Sequence, residues 1–244
     1  MKRFWREVAV RADPTGAIVL LDGRTLRTPG RAVLLCPTAA LAEAVAAEWR
    51  DAGETLVLET MRLTRLANTV VDLMPARRAD AIGEAAGYAA HDLLCYRADA
   101  PAALVARQEA LWQPWLDWTR HRYDVSLVTT RTLAPVAQPA ASLRTLGAVV
   151  AAQDDWRLVG LHALATGTGS LVLALAVLEG ALDAAGAFEA ALLDELFEIA
   201  CWGAEEEQQR RHERLRADLA AAGCLLELLA ASSPRPGRRD EASG

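Results

Sequence analysis

Residues 161–180 read LHALATGTGSLVLALAVLEG. At the centre, Thr166-Gly167-Thr168-Gly169-Ser170 is a small, hydroxyl-rich turn with two glycines, set before an apolar run. Many phosphate-cradling loops look like this. The stretch is therefore either a nucleotide site or a joint between two helices. A P-loop requires GxxxxGK[ST], and Lys2 is the only lysine of the chain. A dinucleotide fingerprint requires GxGxxG after a strand, but Val172 stands at the third glycine position. The residues just before carry Trp156, Val159 and Ala163 at spacings of three and four, a helical rather than a strand pattern. The joint reading predicts that Ser170 caps a second helix. Residues 171–178 are apolar all round, so that helix is expected to be the buried one at the centre of the bundle.

Working outward, helical spacing continues on both sides. Helices are predicted over 62–74, 78–96, 101–122, 139–152, 156–165, 170–184, 187–202 and 205–222, with 123–131 as a short extended link. Before residue 62 the period differs. Val8 to Val10, Ala17 to Leu21 and Ala32 to Leu35 read as strands, and Asp22-Gly23 as a tight hairpin turn. Thr38 is the expected N-cap of one helix carrying Leu41, Val45 and Trp49 on its apolar face and ending at Gly53. Residues 56–58 read as an edge strand. The fold class is α+β: a small N-terminal antiparallel sheet with a helix, then a larger α-helical bundle. The expected organisation is a small domain over 1–61, the bundle over 62–231 and a disordered tail over 232–244.

The 244 residues are 52% hydrophobic and 24% charged, the balance of a soluble globular protein. The net charge of −6 argues against a nucleic-acid partner. Nearly all the basic residues are arginine, so lysine chemistry inside the fold is all but excluded. Cys36, Cys95, Cys201 and Cys224 form no CxxC pair and are read as buried free thiols in a reducing compartment. The N-terminus lacks the apolar core of a signal peptide. The longest apolar run falls short of the ~20 residues that span a bilayer. A cytoplasmic protein without membrane insertion is expected, with no metal ligand set and no cofactor. His91-Asp92 has the form of a base with a carboxylate partner, although such pairs are commonly structural.

Residues 194–207 carry an acidic row broken by an aromatic. On a helix, Phe188, Leu192, Leu196 and Ile199 make an apolar face, and Glu195, Glu198 and Trp202 form a stripe along its edge. Gly203 then breaks or bends the helix, and Glu205, Glu206 and Glu207 follow. Such a stripe suits a basic or amide-rich partner surface. It equally suits a solvated helix face followed by an acidic first turn. The stripe predicts that Glu195→Lys weakens partner binding with little effect on thermal stability. Trp112, Trp115 and Trp118 flank Pro114 and are read mainly as core.

Taken in order, several motifs resemble one family. They are the segment from Lys2 to Val8, Leu21 to Pro29, Ala47-Glu48-Trp49, Thr60 to Thr69, Asp92 to Tyr96, Gly169 to Ala176, and Glu195 with Trp202-Gly203. The chain resembles the F1-ATPase assembly chaperones, whose mitochondrial members are called ATP synthase mitochondrial F1 complex assembly factor 2. That resemblance implies a non-enzymatic protein with a small α/β domain and an orthogonal helical bundle. It implies binding to the ATP synthase F1 α subunit, shielding an interface before α joins β. By motif match it marks Trp49, Glu195, Trp202 and Glu206 as partner-binding positions, to which the stripe adds Glu198. Family members often carry an aromatic residue directly after Glu206, where Glu207 stands here. The chain opens on the family's first motif, which predicts a bacterial, cytoplasmic member without a transit peptide, acting as a monomer. The competing reading is a nucleotide-binding or hydrolytic enzyme using Thr166 to Ser170 and His91.

Overall fold

The hairpin signals near the N-terminus fold as read. In the computed structural model, which describes residues 2–132 and 134–230, β1 (Val8–Asp13) pairs antiparallel with β2 (Gly16–Leu21), Val8 facing Leu21. Asp22-Gly23 turns β2 into β3 (Arg24–Thr25), with Leu21 opposite Arg24. Further along the same edge, β4 (Leu35–Cys36) pairs with Ala17 and Ile18. β2 is thus central, and its Ala17, Ile18, Val19 and Leu21 are buried. α1 (Ala39–Asp51) starts where Thr38 Oγ1 accepts from the Leu41 N–H at 3.0 Å, and it lays Leu41, Val45 and Trp49 on the sheet. The expected strand at 56–58 does not form. Thr60 folds back on the Val57 carbonyl, making a 3₁₀ turn (Leu58–Thr60), and the edge bridge runs instead from Lys2 to Thr55.

Nine further helices follow: α2 (Arg62–Asp72), α3 (Met74–Gly87), α4 (Ala102–Tyr123), α5 (Ala140–Ala151), α6 (Asp155–Thr168), α7 (Leu171–Leu178), α8 (Ala184–Ala191), α9 (Leu193–Trp202) and α10 (Glu206–Ala230), counted among the described residues. The sheet followed by these helices is the expected α+β class. In α7 every residue from Leu171 to Val177 is buried, so it is the central helix. Each large aliphatic side chain there stabilises by about 1.5–3 kcal/mol. α6 packs against α7, α10 and α3, and α10 against α8, α2 and α1. One core runs from Trp5 and the sheet through α6 and α7 to Leu229. A second cluster, including Leu94, Trp112, Leu173 and Leu193, lies between α7, α4 and α9.

Several boundaries differ from the periodicity, each for a tertiary reason. The helix expected over 78–96 stops at Gly87 and gives way to 3₁₀ turns at Tyr88–His91 and Leu93–Cys95. Between them Asp92 is extended and its side chain is drawn into the core. The helix expected over 187–202 is two helices. α8 begins earlier, where Asp183 caps it through the Gly186 N–H at 2.7 Å. The break falls at Leu192 (φ −102°, ψ 16°), and α4 hydrogen-bonds to both sides of it, at the Ala190 carbonyl and at Asp194. α10 continues past residue 222 because Leu225, Leu226 and Leu229 are buried, and the Leu228 carbonyl accepts from Thr38 Oγ1 at 3.2 Å. The tail expected over 232–244 lies outside the described residues. Of the cysteines, Cys36 and Cys95 are buried, and burial pushes both thiols up to about 12. Cys224 is half-buried, and Cys201, expected inside, is exposed on the last turn of α9.

Candidate functional site: the α9–α10 face

The turn that looks like a phosphate loop already holds an anion, and the chain supplies it. α6 runs through Thr166, Gly167 and Thr168, so the joint is only Gly169-Ser170. Gly169 adopts φ +68°, a left-handed cap that favours glycine. Gly167 packs so closely on α10 that a Cβ would stand 2.7 Å from Leu219 Cδ2. Ser170 Oγ accepts from the Leu173 N–H at 3.1 Å and donates to Asp92 Oδ1 at 2.7 Å. Asp92 Oδ2 accepts from the Val172 N–H at 3.0 Å, and Oδ1 from the Leu94 N–H at 3.1 Å. A helix N-terminus attracts anions through its free N–H groups. Here a fully buried carboxylate and the Ser170 cap occupy them, so no cradle for a nucleotide phosphate remains. Burial pushes the Asp92 carboxyl up to about 6, against the downward pull of these donors. The suggested His91–Asp92 pair does not form, because Asp92 points inward and His91 is exposed.

Ser170→Ala removes the cap and leaves the buried Asp92 without one donor. The expected loss is about 2 kcal/mol, or ~6 °C in Tm by scanning calorimetry.

The acidic stripe lies on α9, which α4 holds in place. Trp112 Nε1 donates to the Ala190 carbonyl at 2.8 Å, and Gln108 Nε2 donates to Asp194 Oδ1 at 2.7 Å. Gln108 Oε1 in turn accepts from the Ala98 N–H at 2.7 Å. Arg97 lies 5.4 Å from the Trp112 ring centre and donates to the Leu94 and Gln108 carbonyls. Gln108 and Arg97 did not stand out in the sequence, and Asp194 did so only as the first residue of the acidic row. Their partners are brought in by packing, and the one usable signal was Gln108 on the helical face of Leu104, Leu111 and Trp112.

Along α9 the stripe divides. Glu195 turns toward α10, where its Oε2 pairs with Arg211 and stands 2.8 Å from His212 Nε2. It is a staple between two helices, not the solvent edge expected of it. Burial raises its carboxyl, but the His212 hydrogen bond and the Arg211 charge outweigh that and hold it below the usual carboxylate range. The folded chain therefore holds this proton less tightly than the unfolded chain does. Its stabilisation is present above the ordinary carboxylate range and is lost as pH falls through the lowered value. Glu195→Lys sets a cation against Arg211 and removes the acceptor beside His212 Nε2, so some loss of stability is expected beside any loss of binding. A loss of about 1 kcal/mol is expected at neutral pH, kept small by solvent screening, and the part due to lost pairing fades as pH falls, as urea midpoints would record.

Glu198 and Trp202 stay on the outer face, and Trp202 is 88% exposed. Gly203 follows at φ +87°, letting α9 end and α10 begin within three residues. Glu206 pairs with Arg210 one turn further on. The ends of the two helices enclose an open cleft of about 500 Å³ lined by Glu198, Ile199, Trp202, Glu205, Glu207 and Arg211, among others. The cleft joins an exposed indole to a carboxylate rim.

The description ATP12 chaperone protein belongs to the family model that matches residues 2–120. Atp12p from Paracoccus denitrificans is similar over 93% of this chain and 97% of its own, with 38% identity and a TM-score of 0.87. The chain belongs to the ATP12 chaperone family. A point mutant of the same Paracoccus protein matches at 37% identity with a TM-score of 0.87, over the same shares of the two chains. A candidate chaperone from Agrobacterium tumefaciens matches at 33% identity, covering 93% of this chain and 86% of its own, with a TM-score of 0.88.

In this ATP12-family chaperone the motifs that carried the resemblance meet in pairs. Trp49, marked as a partner position, is buried with its ring 4.9 Å from that of Trp5, and Trp5 Nε1 donates to the Trp49 carbonyl at 3.1 Å. It bolts the N-terminal motif to α1 and offers no outer surface, because helical spacing puts it on the face that covers the sheet. Its neighbour Glu48 caps α2, accepting from the Leu63 and Thr64 N–H groups at 2.8 Å each. The motif at 92–96 likewise meets the motif at 169–176 through Asp92 and Ser170. The motif around Glu195 and Trp202 reaches the surface with an exposed indole beside carboxylates, whereas Phe4 of the first motif, 66% exposed, has no such cleft around it.

Proposed function

We propose that this chaperone binds the α subunit of the F1 sector of ATP synthase and shields its interface until α joins β. It works by binding alone, as a monomer in the bacterial cytoplasm. Family membership supports the chaperone role, and the resemblance supplies the client. Among the described residues no helix is long and apolar enough to cross a membrane. The observation that carries the site is Trp202, 88% exposed on a carboxylate-lined cleft. Glu198, Trp202 and Glu206 meet the client, Glu195 sets the angle of that face, and Trp49 acts only through the fold. The test mixes purified chaperone with isolated F1 α subunit and follows light scattering. Equimolar chaperone is expected to suppress aggregation of α and to co-elute with it. Unchanged aggregation with no co-elution would remove the proposal.

A further inference from the structure

Trp202 differs from the other six tryptophans of the chain. Trp5, Trp49 and Trp112 are buried, and Trp115, Trp118 and Trp156 are half-buried. Trp202 also differs from its aromatic neighbours on α8 and α9. Phe188 carries the Arg216 guanidinium 4.1 Å from its ring centre, and Phe197 carries that of Arg107 at 5.2 Å. Among the described residues, no guanidinium of this chain covers the Trp202 ring.

The charges around it are divided in the same way. Glu195 is matched by Arg211 and His212, and Glu206 by Arg210. Glu198, Glu205 and Glu207, which line the cleft with Trp202, make no ion pair among the described residues. Of the cleft's two arginines, Arg211 is engaged by Glu195, so Arg214 alone opposes three carboxylates. The C-terminal end of α9 adds its partial negative charge at the same place, and the N-terminus of α10 a partial positive one that offsets part of the Glu205 and Glu207 charge.

We infer that the cleft seats a cationic side chain, arginine above all, on an extended basic segment of the client. The guanidinium lies on the face of Trp202, and its N–H groups donate to Glu198, Glu205 or Glu207. Planar guanidinium suits both contacts at once, stacking on the indole while forking onto carboxylates. The inference deepens the proposed function and rests on it only for the identity of the client.

The test uses the full chain and immobilised 15-residue peptides that tile the F1 α sequence, each made also with citrulline in place of arginine. Captured peptides are expected to contain arginine, and citrulline is expected to weaken binding by about tenfold in fluorescence anisotropy. Trp202→Ala should weaken it by a similar factor, with Tm unchanged because the side chain touches little of the fold. Trp202→Leu should fail to rescue, while Trp202→Phe restores part of the affinity. Equal capture of peptides without a cation would overturn the inference, as would no capture of arginine peptides or full rescue by Trp202→Leu. Self-association through Trp202 in sedimentation would overturn it too, by making a second copy the occupant. Binding of intact α that ignores Trp202 would sink the cleft chemistry and leave the proposed function standing. Trp202-dependent capture of arginine peptides without binding of intact α would do the reverse.

Discussion

Asp92→Ala is expected to destabilise the chain by about 4 kcal/mol, or ~12 °C in Tm, more than any single surface change. The carboxylate is fully buried and accepts from the Ser170 hydroxyl and from the Leu94 and Val172 N–H groups. Alanine leaves these donors inside the core with nothing to meet, and each orphan costs about 1–3 kcal/mol. Asp92→Asn keeps the shape but turns an amide N–H₂ toward another donor, so a smaller loss of about 2 kcal/mol is expected. The carboxyl titrates at about 6 when folded against 3.8 ordinarily, because burial disfavours its charge. The folded chain thus holds the proton more tightly than the unfolded chain does. Stability from this group is fully present below about pH 4, falls by about 3 kcal/mol as pH rises to about 6, and is level above that. Urea midpoints of the wild type and Asp92→Asn should therefore lie further apart at pH 4 than at pH 7. A gap that is constant, or that widens with pH, would show that the carboxylate is better satisfied than its burial implies.

Trp112→Ala is expected to lose about 4 kcal/mol in urea denaturation and to weaken client binding as well. The side chain is fully buried in the second core cluster, donates to the Ala190 carbonyl and carries Arg97 over its ring. Alanine opens a cavity under α8 and removes the ring beneath the Arg97 guanidinium, which keeps its bonds to the Leu94 and Gln108 carbonyls. Because α9 continues from that point, the cleft loses its support. Trp112→Phe keeps most of the volume and drops only the indole N–H. It should be milder by about half in stability and leave binding within a few-fold. If Trp112→Ala left the bound complex at wild-type affinity at a temperature where it stays folded, α4 would not be what positions the cleft.

Where the physics is local, the sequence was a good guide. The Asp22-Gly23 hairpin, the Thr38 cap, the Ser170 cap and the buried run at 171–178 each depend on residues within one turn of themselves. The breaks at Asp92 and Leu192 do not. Asp92 leaves helical geometry to reach donors 78–80 residues away, and the break at Leu192 lies between two contacts to α4, 78 and 86 residues apart in sequence. The same contrast divides the stripe. Glu198 and Trp202 stand on the face the helical spacing gave them. Glu195 shares that face in sequence, but α10 doubles back after Gly203 and brings Arg211 and His212 to it. Trp49 was placed on an apolar face by its spacing and is found there. It was the resemblance that moved it into the partner list, where a buried ring has no surface to give.

The central claim is that the α9–α10 face holds the F1 α subunit, and calorimetric titration of isolated α tests it most directly. Wild-type chain and a Glu198→Lys, Trp202→Ala double variant of unchanged Tm would each be titrated in the same buffer. The account predicts a one-to-one complex with the wild type and an affinity at least about tenfold weaker for the variant. Equal affinities, or no heat of binding with either chain, would contradict it.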